Sequence, residues 1–67
     1  MNKLLLRSVM VLYGDTDKSL AEYIGISKKS VNAKINERGV EFKQSEISDI
    51  KKRYSLTDSQ VVDIFFR

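Results

Sequence analysis

Three glycines divide the chain into short segments, and their spacing constrains the fold more than any other feature. Gly14, Gly25 and Gly39 each follow a run in which apolar side chains recur every three or four residues. That period is typical of an α-helix, and glycine commonly follows a helix because the next residue often takes a positive φ. The pattern predicts helices that begin at about Lys3, Asp17 and Lys28 and are closed by these glycines.

Hydroxyl side chains stand where helices should begin. Thr16 and Ser27 come just before the second and third predicted helices, and their oxygens can accept from the unpaired N–H groups of a first helical turn. Thr57, followed three residues later by Gln60, has the spacing of a capping box and predicts the start of a last helix. The predicted helix starts and the predicted helix ends therefore outline the same helices.

A fourth helix is predicted from about Gln44 to Tyr54, because Ile47, Ile50 and Tyr54 share one helical face. No segment alternates apolar and polar residues for long enough to indicate a strand, and there is no proline. We therefore predict an all-α fold of five short helices, in a single domain over residues 1–67. Both core positions and a solvated face are expected on these helices: Leu5, Val9, Ile47 and Ile50 in the core, and Glu46, Asp49 and Lys52 on the solvated face.

The composition argues against several classes of function. Without cysteine or histidine, the chain has no disulfide, no thiolate or imidazole metal ligand, and no histidine general base. We expect no catalytic site, no metal and no cofactor. Residues 1–13 resemble a signal peptide, but Arg7 interrupts their apolar run, which is also too short to span a bilayer. A cytoplasmic protein with no membrane partner is therefore expected.

Residues 16–39 have the pattern of two helices that cross closely around a tight turn. The inward positions are apolar, with a small residue where the helices cross: Leu20, Ala21 and Ile24 on the first helix, Ile26 in the turn, and Val31 and Ile35 on the second. Gly25 supplies the turn and Ser27 caps the second helix. This pattern is the sequence form of a helix-turn-helix, which mostly places its second helix in the major groove of DNA.

The outward face of the second helix is polar and lacks carboxylates. At about 100° per residue, four side chains project away from the inward positions, namely Lys29, Asn32, Ala33 and Asn36, with Lys28 and Lys34 on the flanks. Lysine can donate to guanine or pair with phosphate, asparagine can bond adenine, and an alanine methyl can touch a thymine methyl. The net charge of +3 also suits a polyanion, although such a surplus is common on ordinary surfaces.

These residues resemble the helix-turn-helix of the phage repressor and Cro family, also called the xenobiotic-response-element family. The resemblance rests on Leu20-Ala21, Ile24-Gly25-Ile26-Ser27, and Val31 with Ile35, and the chain is similar in size to that family's DNA-binding domain. Three further segments resemble small Cro-like proteins in the genetic switches of phages of Gram-positive bacteria: Gly14-Asp15-Thr16, Asn32-Ala33-Lys34, and the ending from Leu56 to Phe66.

The resemblance implies a compact five-helix repressor-like DNA-binding domain with the helix-turn-helix on helices 2 and 3. It implies base contacts by Lys28, Lys29, Asn32 and Ala33, and phosphate contacts by Lys18, Ser19, Asn36, Lys43 and Gln44. Two residues depart from the family pattern. Asp17 stands where the family often has a glutamine that bonds phosphate and braces the recognition helix, and Lys34 stands where a small or apolar residue is common. We expect Lys34 to extend outward to solvent.

The last helix has more apolar side chains than one stripe can bury. Val61, Ile64 and Phe65 share one face, whereas Val62 and Phe66 lie on another and could either be exposed or fold back over the fourth helix. Because the last helix commonly forms the dimer in the Cro-like family, the resemblance implies a homodimer interface at Val62, Phe65 and Phe66.

Two functions follow from the resemblance. The first is a sequence-specific transcriptional regulator of a phage genetic switch, which binds double-stranded DNA in the bacterial host cytoplasm as a dimer on a pseudo-palindromic operator. The alternative is an antirepressor that binds a larger phage repressor protein through the apolar last helix, at Val62, Phe65 and Phe66, and acts little through DNA binding of its own.

Overall fold

The computed structural model describes residues 1–67 as five α-helices without strands. The helices are α1 (Lys3–Leu12), α2 (Asp17–Ile24), α3 (Lys28–Ile35), α4 (Gln44–Arg53) and α5 (Asp58–Phe65). They enclose one core within extents of 27 × 25 × 21 Å. The predicted all-α fold of five short helices is confirmed.

The helix starts follow the predicted capping chemistry. The side chain of Thr16 accepts from the N–H three residues later at 3.2 Å, and that of Ser27 does the same at 3.0 Å. Thr57 and Gln60 form both bonds of a capping box, since each side chain accepts from the other residue's backbone N–H, at 3.1 and 2.8 Å. Local sequence therefore explains where α2, α3 and α5 begin.

The helix ends agree with the glycine pattern at two places and depart from it at a third. Gly14 and Gly25 take positive φ after α1 and α2. However, the prediction that Gly39 closes α3 was wrong, because Glu37 takes the left-handed position at φ 55° and the Ala33 carbonyl accepts from the N–H of the next residue. Ser55 closes α4 in the same way at φ 51°. A non-glycine residue can fill this position at a cost in strain.

The core contains twelve apolar side chains drawn from all five helices and two of the connecting segments: Leu6, Met10, Leu20, Ala21, Val31, Ile35, Phe42, Ile47, Ile50, Tyr54, Leu56 and Ile64. The predicted buried face of α4 is confirmed. On α1 the fully buried pair is Leu6 and Met10, whereas the predicted core residues Leu5 and Val9 are half-buried and pack against the cluster edge. The buried face of α1 is therefore centred one residue further along the sequence than predicted.

Helices α2 and α3 pack on each other more extensively than any other pair, and α2 also packs on α4. Both α1 and α4 pack against α5. In addition, the Asn2 N–H donates to the Ile64 carbonyl at 2.6 Å, which joins the first residues to α5. The extensive packing of α3 is with α2, and its inward residues enter the core. Lys28 and Lys29 at its start stay exposed, whereas Asn32 and Ala33 are half-buried.

Candidate nucleic-acid interface

The connection between α2 and α3 is a short turn centred on Gly25. Its φ is +88°, and a Cβ at this position would meet no atom within 4 Å. Glycine is therefore favoured here by backbone conformation, not by lack of space. The Ala21 carbonyl accepts from the N–H groups of Gly25 and Ile26, at 2.8 and 3.1 Å. These bonds end α2 and direct the chain into α3, which begins at Lys28.

Of the four predicted base-contacting residues, Lys29 and Ala33 lie on the side of α3 opposite its buried residues, Val31 and Ile35, whereas Lys28 and Asn32 lie nearer the edge of the buried face. Lys28 and Lys29 are exposed, and Asn32 and Ala33 are half-buried. The helix contains no carboxylate. Together the four residues therefore present hydrogen-bond donors, a carboxamide and a methyl group in about two turns.

The five residues predicted to contact phosphate fall into two groups. Three are exposed and make no side-chain hydrogen bond within the protein that would hold them: Lys18, Lys43 and Gln44. The other two are already bonded, because the Ser19 hydroxyl donates to Asp15 at 2.8 Å and the Asn36 amide donates to the Asn32 carbonyl at 3.0 Å. Contacts by any of the five to phosphate stay a prediction.

Asp17, the departure from the family pattern, bridges three helices. Its carboxylate at the start of α2 accepts from Arg7 of α1 and, at 3.0 Å, from the side-chain amide of Asn32 of α3. Burial acts to raise the pKa of Asp17, but the hydrogen bonds from Arg7 and Asn32 outweigh it, so the pKa lies below its ordinary value. Asp17 thus stays ionised and braces the outward face of α3.

Lys34 and Glu46 form a buried ion pair between α3 and α4. The Lys34 Nζ donates to both carboxylate oxygens, at 2.7 and 2.9 Å, and the Lys43 N–H donates to one of them at 2.8 Å. Two predictions were therefore wrong: Lys34 does not extend to solvent, and Glu46 does not belong to the solvated face, although Lys52 does and Asp49 is half-exposed. Each charge is buried because the other neutralises it.

A second polar cluster, centred on Asp15, was missed by sequence reasoning. Its carboxylate accepts from Arg53 Nε and Nη2 at 2.6 and 2.7 Å, from the Tyr54 hydroxyl at 2.6 Å and from Ser19. The Arg53 hydrogen bonds are the main reason that the pKa of Asp15 lies far below its ordinary value. Burial raises the pKa of the Tyr54 phenol. No local pattern predicts this cluster, because Arg53 and Tyr54 are 38 and 39 residues from Asp15.

Ion pairing inside the protein decides which charges remain for a partner. Seven cations have no carboxylate within ion-pair distance: Lys3, Lys18, Lys28, Lys29, Arg38, Lys43 and Lys52. Five of the seven lie between residues 18 and 43: one on α2, two on α3, and two in the segment that leads from α3 to α4. By contrast, the two carboxylates that bond to α3 side chains, Asp17 and Glu46, are each neutralised by a cation. The same stretch, residues 18–43, contains two carboxylates without a cation partner, Glu22 and Glu41, so unpaired cations outnumber unpaired carboxylates there by five to two.

Apolar side chains remain exposed at two other places. On α5 Ile64 is buried, Val62 and Phe66 are exposed, and Phe65 is half-buried with its ring 5.9 Å from that of Phe42, edge to face. A groove of about 250 Å³ runs beside these rings. The predicted two-sided character of α5 is confirmed, whereas a dimer interface at Val62, Phe65 and Phe66 stays a prediction.

The second exposed apolar area lies on α1 and was not predicted. Leu4, Val11 and Leu12 are each at least 76% exposed. A signal for it is present in the sequence, since residues 4–12 contain more apolar side chains than one face of a ten-residue helix can bury.

Comparisons of the chain with protein-family models, curated proteins and solved structures found no match. Separately, none of the five helices has the length and apolar character needed to cross a membrane.

Proposed function

We propose that the chain binds double-stranded DNA through the outward side of α3 and regulates transcription, as the family resemblance of its sequence implies. One observation supports this proposal above the others. The outward side of α3 exposes Lys28 and Lys29 and presents Asn32, with no carboxylate on the helix, and the neighbouring Asp17 is neutralised by Arg7. A surface with donors and without unpaired acids is suited to phosphates and base edges.

In this proposal the residues divide into two groups. Specificity comes from Lys28, Lys29, Asn32 and Ala33, and salt-sensitive anchoring comes chiefly from Lys18 and Lys43. Two copies joined through Val62, Phe65 and Phe66 would present their α3 helices to half-sites about 34 Å apart on a pseudo-palindromic operator. Occupation of such a site would occlude a promoter in a phage genetic switch.

The proposal is tested by substitution at Asn32. Against a duplex selected from random sequences by the wild-type chain, Asn32→Ala should lose about 1 to 3 kcal/mol of binding free energy, with little loss on random DNA. Mobility-shift titrations of both duplexes measure this difference. The control is Lys52→Ala, which removes an exposed, unpaired cation on α4. Equal losses on both duplexes would contradict the specificity role of Asn32.

A second candidate function is binding to a larger phage repressor, as an antirepressor. The observation that favours it is the apolar surface of α1, since exposed apolar patches often mark protein interfaces. Titrating DNA with this chain alone, and then with a phage repressor added, separates the two functions. Tight, specific DNA binding by the chain alone would reject a pure modulator, whereas binding that depends on the repressor would reject an autonomous regulator.

A further inference from the structure

A chain of three polar side chains joins α1 to the outward face of α3. Arg7 Nη1 donates to Asp17 Oδ1, and Asn32 Nδ2 donates to Asp17 Oδ2 at 3.0 Å. The side chain of Asp17 is 11% exposed, whereas that of Arg7 is 37% exposed. The bridge therefore has a buried centre and two ends that reach the surface.

The buried centre limits how the Asn32 amide can be oriented. An ionised carboxylate only accepts hydrogen bonds, so Asp17 requires the NH₂ group of Asn32 and repels its oxygen. Asn32 then keeps its oxygen and one N–H free of side-chain partners. Those two groups are the pair that bonds bidentately to the N6 and N7 positions of adenine. A neutral amide at residue 17 would accept either orientation of Asn32.

Arg7, at the α1 end of the bridge, has N–H donors without a partner in the protein. A guanidinium group carries five N–H donors, and only one nitrogen of Arg7 bonds within the protein. The charge of Arg7 also cancels that of Asp17, which would otherwise repel a phosphate beside α3. Arg7 thus combines a fixed position, free donors and partial exposure, a combination found in residues that bind phosphate.

We infer that Arg7 binds a DNA phosphate and, through Asp17, holds the Asn32 amide in the orientation that contacts a base. This inference rests on the proposed function and adds to it a residue of α1, outside the predicted helix-turn-helix. In this arrangement Arg7 is a binding residue and Asp17 is a positioning residue. Binding of Arg7 to the DNA backbone and orientation of the Asn32 amide are then coupled by the two hydrogen bonds that Asp17 accepts.

The test measures affinity for a duplex that the wild-type chain selects from random sequences, and for a random duplex of equal length, at several KCl concentrations. Arg7→Gln should reduce the slope of log K against log salt by about 0.9, the value for one phosphate contact on duplex DNA. Arg7→Lys keeps the charge and should keep the slope. The matched control, Lys52→Gln, removes the same charge from the exposed surface of α4 and should also keep it.

Asp17→Asn tests the positioning role. It should lower the preference for the selected duplex over random DNA about tenfold, which corresponds to about 1.4 kcal/mol and lies within the range for a bidentate base contact. Affinity for random DNA should be unchanged or higher, because a negative charge is lost. A purely structural role would weaken both duplexes together. Should Arg7→Gln fail to fold, this ratio still decides the positioning role. The slope is then compared between Asp17→Asn and the double variant Asp17→Asn/Arg7→Gln, in which no carboxylate at residue 17 is left without its cation; an unchanged slope in the double variant would overturn the phosphate contact.

The outcomes separate the two proposals. If the wild-type chain prefers no sequence, the proposed function fails and the inference fails with it. If the wild type is specific but Arg7→Gln keeps the wild-type slope, or Asp17→Asn keeps the preference, the proposed function stands and the inference is overturned.

Discussion

Asp15 and Asp17 are two residues apart and each binds an arginine, yet they hold different parts of the molecule. Asp15 is 5% exposed, and its four hydrogen bonds come from α2 and from the end of α4, including both bonds from Arg53. Asp17 bonds to Arg7 of α1 and to Asn32 on the outward side of α3. The same chemistry therefore supports the frame of the fold at one residue and a candidate binding surface at the other.

Removing the Asp15 carboxylate tests the first half of this comparison and should have the largest effect. Asp15→Ala leaves Arg53 and Tyr54 without their shared acceptor, and should lower the free energy of unfolding by about 3 kcal/mol, near the lower end for broken buried pairs. Urea denaturation measures this loss. Asp49→Ala removes a half-exposed carboxylate of α4 that has no ion-pair partner, and should change stability by less than about 0.5 kcal/mol. A similar result for both variants would show that Asp15 does not support the frame.

The second-largest expected effect is a loss of stability in acid, because both carboxylates become protonated. The pKa of each is lower in the folded chain than its ordinary value of 3.8. Above that value both states are ionised and the stabilisation is complete; below it the unfolded chain takes up protons first, so stability falls as the pH drops toward the folded pKa. Urea titrations from pH 7 to pH 2 should show this decline. Asp15→Asn should flatten it more than Asp17→Asn, and an equal effect would contradict the comparison.

Asp17→Ala should cost less stability than Asp15→Ala, about 1 kcal/mol, because Arg7 is 37% exposed and can return to water. The same urea experiment, run in parallel on the two alanine variants, gives the difference directly. A loss as large as that of Asp15→Ala would mean that the bridge to α3 supports the fold as a whole and not chiefly the outward face of α3.

The last effect, of about the same size as that of Asp17→Ala but opposite in sign, concerns the end of α4, where the partners of Asp15 lie. Ser55 directly follows Tyr54 and takes a φ of 51°. Ser55→Gly should therefore raise the free energy of unfolding by about 1 kcal/mol, because glycine adopts this conformation without strain. The matched control is Ser48→Gly, in the exposed interior of α4, which should lower stability by about 0.5 kcal/mol. A loss at both positions would show that Ser55 is not strained.

Sequence reasoning succeeded where the physical cause lies within a few residues. Thr57 and Gln60 cap α5 because they are three residues apart, and Ile47 and Ile50 are buried because they share a helical face. It failed where the cause is distant. Lys34 was expected at the surface and Glu46 on a solvated face, but each is buried by its pairing with the other across twelve residues.

The same distinction applies to the candidate site. Local periodicity was enough to predict that Val31 and Ile35 are buried and that Lys29 is exposed, whereas Asn32, also expected to project outward, is half-buried. It could not reveal that Asp17 binds Asn32, or that Arg7 joins them, because these contacts exist only once α1, α2 and α3 have packed. The departure at Asp17 was visible in the sequence, but its compensation by an arginine ten residues earlier was not.

The sequence by itself determined five helices, most of their ends and the sides that they turn to the core, because capping and apolar periodicity act over one or two turns. Only the tertiary structure decided which charges stay free. Arg7, Lys34 and Arg53 form ion pairs with carboxylates that helix packing brings near, whereas Lys18, Lys28 and Lys29 form none. Charges interact through space and are buried only in pairs, so their partners depend on the fold and not on their order in the chain.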